Sequence, residues 1–354
     1  MSDELKKLRA NIDTLDQQIL ELVNRRAAHA RSIGRLKNGA VYRPEREAQI
    51  LRRIKQINGG PLPDEVVARL FREIMSACLA LEKPLAVTYL GPPGTFSEAA
   101  AIKHFGHAAK RNACVSVDEV LRKVEAGEVD YAVAPVENST EGAVGRTLDL
   151  MLNTPLKICG EVVLRVHQNL LRKTKGLKNV KRVYSHTQSF AQCHEWLNHN
   201  LPNVPRVNVA SNAEAARLAA KDAGSVALAG EIAAERYGLK ILARNIEDEP
   251  NNTTRFWILG AHDAEPSGKD KTSLVMSTKN VPGAVHELLT PLAHHGVSMS
   301  KLESRPARTG LWEYMFFVDV EGHQQDPNVA KAIAGLGEKA AFLKILGSYP
   351  AAVL

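Results

Sequence analysis

Leu5, Leu8, Ile12, Leu15, Ile19, Leu22 and Val23 recur at three- and four-residue steps, the period of an α-helix. No proline or glycine interrupts the pattern before Gly34, and it continues to about Lys37. At about 1.5 Å per residue such a helix is roughly 50 Å long. Gly39 ends it, Pro44 sits near the start of a second helix, and Gly59-Gly60-Pro61 separates that one from a third over 64–83. Two short helices cannot cover the apolar stripe of one so long. The N-terminal segment therefore predicts an all-helical unit that closes its core against a second copy.

Beyond residue 85 the pattern changes to short β-rich runs, LAVTYL, DYAVAPV, KRVYS, SVALAG and RFWILG, separated by helical stretches such as VDEVLRKVEAG and NAEAARLAAKDAG. Alternating strands and helices predict an α/β unit of doubly wound type. Its length suits two lobes with a cleft between them. EPSGKD (265–270) reads as a linker. From Thr272 the order is strand, helix, strand, strand, helix, strand, an α+β arrangement of ferredoxin-like kind. The expected divisions are 1–84, 85–263 and 271–354.

Composition narrows the function. A formal net charge of +7 is moderate, and only 5% of residues are aromatic. Basic side chains are scattered through helices, with no stripe interleaved with stacking rings, which argues against nucleic acid. Four widely spaced cysteines without CxxC give neither a disulfide framework nor a zinc site. The histidines, His186, His194, His294 and His295 among them, form no HExxH pair, and GPPGT lacks the GK[ST] ending of a phosphate loop. No metal and no nucleotide cofactor is expected. The charged N-terminus and the lack of a long apolar run predict a cytoplasmic protein away from membranes.

Polar residues crowd the ends of apolar strands at GPPGTFSEAA (91–100), PVENSTEG (135–142), SHTQSFAQC (185–193) and TTRF (253–256). Helix N-termini and hydroxyls there suit an oxygen-rich anion. With ESRP (303–306), these five tokens in this order resemble the bifunctional chorismate mutase–prephenate dehydratases of phenylalanine biosynthesis, which carry a C-terminal ACT regulatory domain. The resemblance covers nearly the whole chain. It implies chorismate and prephenate as substrates, L-phenylalanine as effector, and a homodimer, with pairing of dimers left open. An arogenate-preferring dehydratase and a catalytically dead amino-acid sensor are the alternatives.

For the helical segment the resemblance places Arg9, Arg26, Lys37, Arg46 and Glu47 in the mutase site. Arg9 and Arg26 would grip carboxylates, Lys37 would reach the ether oxygen, and Glu47 would bind the ring hydroxyl. Arg43, Cys78 and Glu82 stand where relatives often have Asp, Ser and Gln. A carboxylate at Glu82 can donate to the ether oxygen only when protonated. Arg26 and Lys37 are eleven residues apart, about three turns, and share a face; Arg9 lies about 25 Å from Arg26 and must serve a second site.

For the middle segment the resemblance implies Thr254 as the donor that assists loss of hydroxide. Asn138, Ser139, Thr140, Ser185, Gln188, Gln192 and Arg255 are expected to line the cleft. A Ser or Thr before a helix is by default an N-cap, so Ser97, Ser139 and Thr187 read equally well as caps. In the C-terminal segment Gly283, Ala284, Val285, Glu303, Ser304 and Arg305 are the expected phenylalanine contacts. A chain cut near Asp263 is expected to keep some dehydratase activity and lose the response.

Overall fold

The computed structural model describes residues 3–36, 42–279, 281–307 and 314–353. Lys37 lies outside them. Helix α1 (Asp3–Leu36) is a single rod without one buried residue. Leu8, Ile12, Leu15, Ile19 and Leu22 are each more than half exposed. Burying one such side chain is worth about 1.5–3 kcal/mol, so this stripe strongly favours a partner. Helices α2 (Pro44–Ile57) and α3 (Asp64–Ala80) pair with each other through Leu51, Ala68 and Met75. Pro44 at the first turn of α2 loses no hydrogen bond there.

These two helices also dock on the rest of the chain. Arg72 of α3 donates to the carbonyls of Lys103 and His104, and Ser76 to that of Phe105. Those carbonyls end a helix, where a cation is favoured. Arg52 of α2 binds the turn at 267–270 through Ser267 O, Ser267 Oγ and Lys269 O, so the expected linker is a pinned joint. Tyr42 inserts its ring among Phe105 and Tyr131 and meets His104 Nε2 at 2.8 Å.

The middle segment builds two lobes. The first holds β1 (Ala86–Leu90), α4 (Phe96–Phe105), β2 (Lys110–Cys114), α5 (Val117–Glu125), β3 (Tyr131–Asn138), β4 (Gly142–Ala143), α6 (Gly145–Met151) and β5 (Lys157–Arg165). The chain then crosses to β6 (Asn169–Arg172), β7 (Arg182–Ser185), α7 (Thr187–Gln192), α8 (His194–Asn200), β8 (Arg206–Asn208), α9 (Asn212–Lys221), β9 (Ser225–Ala229), α10 (Glu231–Tyr237) and β10 (Lys240–Ala243). It returns to the first lobe as β11 (Thr253–Gly260). The sheets run β2-β1-β3-β11-β5 and β10-β6-β9-β7-β8. Both are mixed rather than wholly parallel, because the chain crosses the cleft twice: β11 lies antiparallel to β3 and β5, and β6 antiparallel to β9 and β10.

The C-terminal unit is β12 (Asp270–Ser277), α11 (Ala284–His294), β13 (Met299–Pro306), β14 (Tyr314–Glu321), α12 (Pro327–Lys339) and β15 (Phe342–Pro350), with strand order β13-β14-β12-β15. Its helices cover one face around Leu288, Leu292 and Leu336. The other face shares one core with the first lobe, where Val275, Phe317, Leu346 and Tyr349 meet Ile158, Trp257 and Leu259. Gly347 makes the approach possible: a Cβ there would lie 2.2 Å from the Ile158 carbonyl oxygen.

Candidate active sites

A cavity of about 400 Å³ opens between the C-terminal part of α1 and helices α2 and α3. Arg26, Arg43, Arg46, Glu47, Cys78 and Glu82 line it, with His29 and Tyr42. Three cations around one small space suit a dicarboxylate. Glu82 lies inward, packed on α1 so closely that a Cβ on Gly34 would sit 2.7 Å from its Cγ. The Glu47 side chain is 14% exposed and lies 3.6 Å from Arg72 Nε. Burial pushes its carboxyl above the ordinary value, while Arg72, Arg26 and the Tyr42 hydroxyl pull it back. Arg9 is not among the cavity's lining residues.

The second cavity, about 290 Å³, is the cleft between the two lobes. Thr254 heads β11 opposite Asn138 on β3. Asn138 Nδ2 donates to Thr254 Oγ1 at 2.9 Å and to Asn252 Oδ1 at 2.9 Å. Its Oδ1 accepts from the amides of Thr140 and Glu141, which fixes the orientation of the carboxamide. Thr254 thus accepts from Asn138 and keeps its own proton to donate. From the far lobe, Gln188 and Gln192 face the same space with His186, Ser189, Ser211 and Asn212. The first lobe adds Thr95, Phe96 and Ser97. The lobes are tied beside the cleft by Glu98, a buried residue in the first turn of α4, which accepts from Gly94 N and from Arg236 Nη2 of α10, each at 2.6 Å.

In the C-terminal unit β13 is a sheet edge, paired among the described residues with β14 alone. Gly283 caps α11 in left-handed conformation at φ 80°, and Gly283, Val285 and Ser304 are exposed. Ala284 is partly exposed beside them. Glu303 and Arg305 are on the other face of the strand, partly buried. Among the described residues no group of three His, Cys, Asp or Glu could hold a metal ion, and all four cysteines are buried and unbridged.

A family model for chorismate mutase type II matches residues 8–83, one for prephenate dehydratase 87–264, and one for the ACT domain 272–338. A bifunctional chorismate mutase/prephenate dehydratase of Neisseria gonorrhoeae is 59% identical over 347 residues, 97% of this chain and 96% of its own length. The chain belongs to the bifunctional chorismate mutase/prephenate dehydratase family. Among solved structures, a prephenate dehydratase of Arthrobacter aurescens in complex with L-Phe is 37% identical, covering 75% of this chain and 90% of its own, with a TM-score of 0.69. A protein described as a novel type of quorum quenching acylase is similar at 32% identity and TM-score 0.70, over 75% of this chain and 98% of its own. The fold of the dehydratase and ACT regions is thus shared by proteins of different stated activity. Only a relative that also spans the mutase helices assigns the whole chain.

Within the dehydratase region, four expected residues are not at the cleft wall. Ser185 is fully buried behind it, donating to Asn212 Oδ1 at 3.1 Å. Ser139 accepts from Thr253 N and closes the hairpin, and Thr140 donates to Asn138 Oδ1 at 2.6 Å. Arg255 points the opposite way from Thr254, because successive strand residues face opposite sides of a sheet. In the ACT region Arg305 does not turn toward the exposed edge. Its Nε donates to Asp149 Oδ1 of α6 at 3.1 Å. Asn212, Ser211, Gln168 and Asn252 were not expected. Ser211 caps α9 and Asn212 opens it, a helix-start signal that hides a second use. Ser97 lines the cleft, and His186 rather than Thr187 caps α7.

Proposed function

We propose that this chain is a cytoplasmic, homo-oligomeric enzyme that rearranges chorismate to prephenate and then converts prephenate to phenylpyruvate, under feedback by phenylalanine. Its three units are 1–84, 85–263 and 271–354. The observation that carries the reading is the Asn138–Thr254 pair at the wall of the cleft that the glutamines of the far lobe also line. Prephenate loses its ring hydroxyl as water and its ring carboxylate as CO2, and aromatisation drives both. A neutral hydroxyl is a weak acid. Thr254 therefore acts as a positioned hydrogen bond to the departing oxygen, while Gln188 and Gln192 hold a carboxylate. Neutral amides there avoid over-stabilising the carboxylate that must leave.

In the mutase cavity no proton is transferred. Arg26 and Arg46 grip the carboxylates, Lys37 and Glu82 serve the ether oxygen, and Glu47 accepts from the ring hydroxyl. Arg43 and Cys78 complete the wall. Arg9, remote along α1, reaches the cavity of a second copy, which the exposed stripe of α1 supports. No helix among the described residues is long and apolar enough to cross a membrane, in keeping with a cytoplasmic enzyme. Phenylalanine binds where the Gly283-Ala284-Val285 turn and the exposed Ser304 face solvent, with Glu303 and Arg305 behind that edge and Arg305 held by Asp149; the Arthrobacter relative in complex with L-Phe supports the choice of ligand. Thr254→Ala is the test. Dehydratase kcat should fall at least about a hundredfold, the scale of one lost transition-state donor, and mutase turnover should persist. Near-normal dehydration would overturn the assignment.

A further inference from the structure

We propose that Arg255 is a positioning residue for dehydration: it holds Thr254 in place from behind the sheet, and the groups that hold Arg255 come largely from the ACT unit. The inference rests on the reading of Thr254 as the cleft donor. The Arg255 side chain is 11% exposed. Its Nε donates to Glu161 Oε2 on β5 at 2.7 Å, its Nη2 to Tyr349 Oη on β15 at 2.8 Å, and its Nη1 to Asp319 on β14. Ser273 on β12 lies 2.7 Å from Tyr349 Oη and donates to Asp319, so two ACT strands meet the guanidinium and a third braces both of their side chains. Lys271 donates to Glu161 at 2.9 Å, and so does the amide of Ala352 at 3.0 Å. Burial opposes the charge on Glu161, but Arg255 and Lys271 outweigh it and hold the carboxyl below its usual range.

Arg255 and Thr254 share a peptide bond, and the ladder from β11 to β3 slips in register immediately after Arg255. A register slip loosens what the ladder alone can specify. On its other side β11 pairs with β5 in register from Thr253 through Ile258, so the break lies on the β3 side alone, beside the Asn138–Thr254 contact, where the anchor of Arg255 adds a fixed point that the ladder lacks. A buried ionic cluster is weak evidence for stability, since apolar packing would serve as well. What a planar fork with three directional partners adds is a fixed orientation. Displacement of a reacting group by about 1 Å can cost about a hundredfold in rate.

The test uses the full-length chain and a double-mutant cycle. Arg255→Gln should lower dehydratase kcat about ten- to a hundredfold with a smaller change in KM. Tyr349→Phe, which deletes one hydroxyl of the ACT unit, should lower it at least about threefold. Mutase kcat/KM should stay within about twofold in both variants. Because Arg255 acts through Thr254, the Thr254→Ala/Arg255→Gln chain should dehydrate no more than about threefold more slowly than Thr254→Ala alone. Penalties that multiply in the double variant, or a parallel fall in mutase turnover, would mark Arg255 as merely structural and overturn the proposal. If Arg255→Gln fails to fold, a normal kcat for Tyr349→Phe overturns it equally. Unchanged dehydration in Thr254→Ala alone would instead remove the reading on which the proposal stands, and that single variant tells the two failures apart.

Discussion

Glu47 combines a site and a cost in one side chain. Burial raises its folded-state pKa despite Arg72, Arg26 and Tyr42. A raised carboxyl contributes stability that is present below the ordinary value and is lost as pH rises through the folded one. Glu47→Gln should therefore raise Tm at pH 8, with the gain shrinking as pH falls through the carboxylate range, while mutase turnover drops. Equal Tm values at pH 8 would contradict this. At Glu82, in the same cavity, a carboxamide would offer the ether oxygen an N–H donor that a carboxylate lacks. Glu82→Gln should therefore keep mutase kcat/KM at or above the wild-type value; a loss of more than about tenfold would exclude the role. Both residues line the cavity where they were expected, Glu47 from the family pattern alone and Glu82 from that pattern together with its i, i+4 spacing from Cys78. Arg255 was misplaced although strand alternation contained the correction: adjacency to Thr254 in sequence is opposition in a sheet. Asn212 was missed because an Asn at a helix start looks sufficiently explained as helix-start chemistry.

Element by element, α1 was the most readable part of the chain: the three- and four-residue steps of its stripe predict one long helix, and Asp3–Leu36 forms one. What the sequence did not disclose is how closely α2 and α3 dock on the α/β lobe. Arg52, Arg72 and Ser76 read as ordinary polar positions, yet each ends on a backbone group from another unit. Periodicity reports which face is apolar, not which distant carbonyl an arginine finds. The dimer prediction belongs to α1. Arg9→Ala and Arg26→Ala chains, each without mutase activity, should regain part of it when unfolded and refolded together. One site of each mixed dimer then holds an intact Arg9 from one chain and Arg26 from the other. Confirmed heterodimers without recovered turnover would mean that both arginines serve a single chain.

At the scale of the whole molecule, the ACT unit is not a detachable sensor. Cutting near Asp263 would strip Val275, Phe317, Leu346 and Tyr349 from a core they share with Trp257 and Leu259. The truncated chain should thus lose dehydration along with the response, contrary to what the linker-like composition of 265–270 suggests. Feedback is better tested by a change that leaves the core alone. Arg305, in the segment expected to meet phenylalanine, reaches Asp149 and packs on Gly145 at the start of α6. That helix follows directly on the hairpin carrying Asn138, so an effector that moves Arg305 has a short mechanical path to the cleft. A Cβ at Gly145 would come within 2.5 Å of Arg305 Nη1, the far end of a flexible side chain that can swing aside at little cost. Gly145→Ala should therefore fold normally, keep mutase turnover, and shift the phenylalanine concentration for half-inhibition of dehydration at least about fivefold, the low end of an ordinary allosteric coupling. The measurement is dehydratase rate against phenylalanine for both chains. Superimposable inhibition curves would show that the Arg305 contact carries none of the coupling.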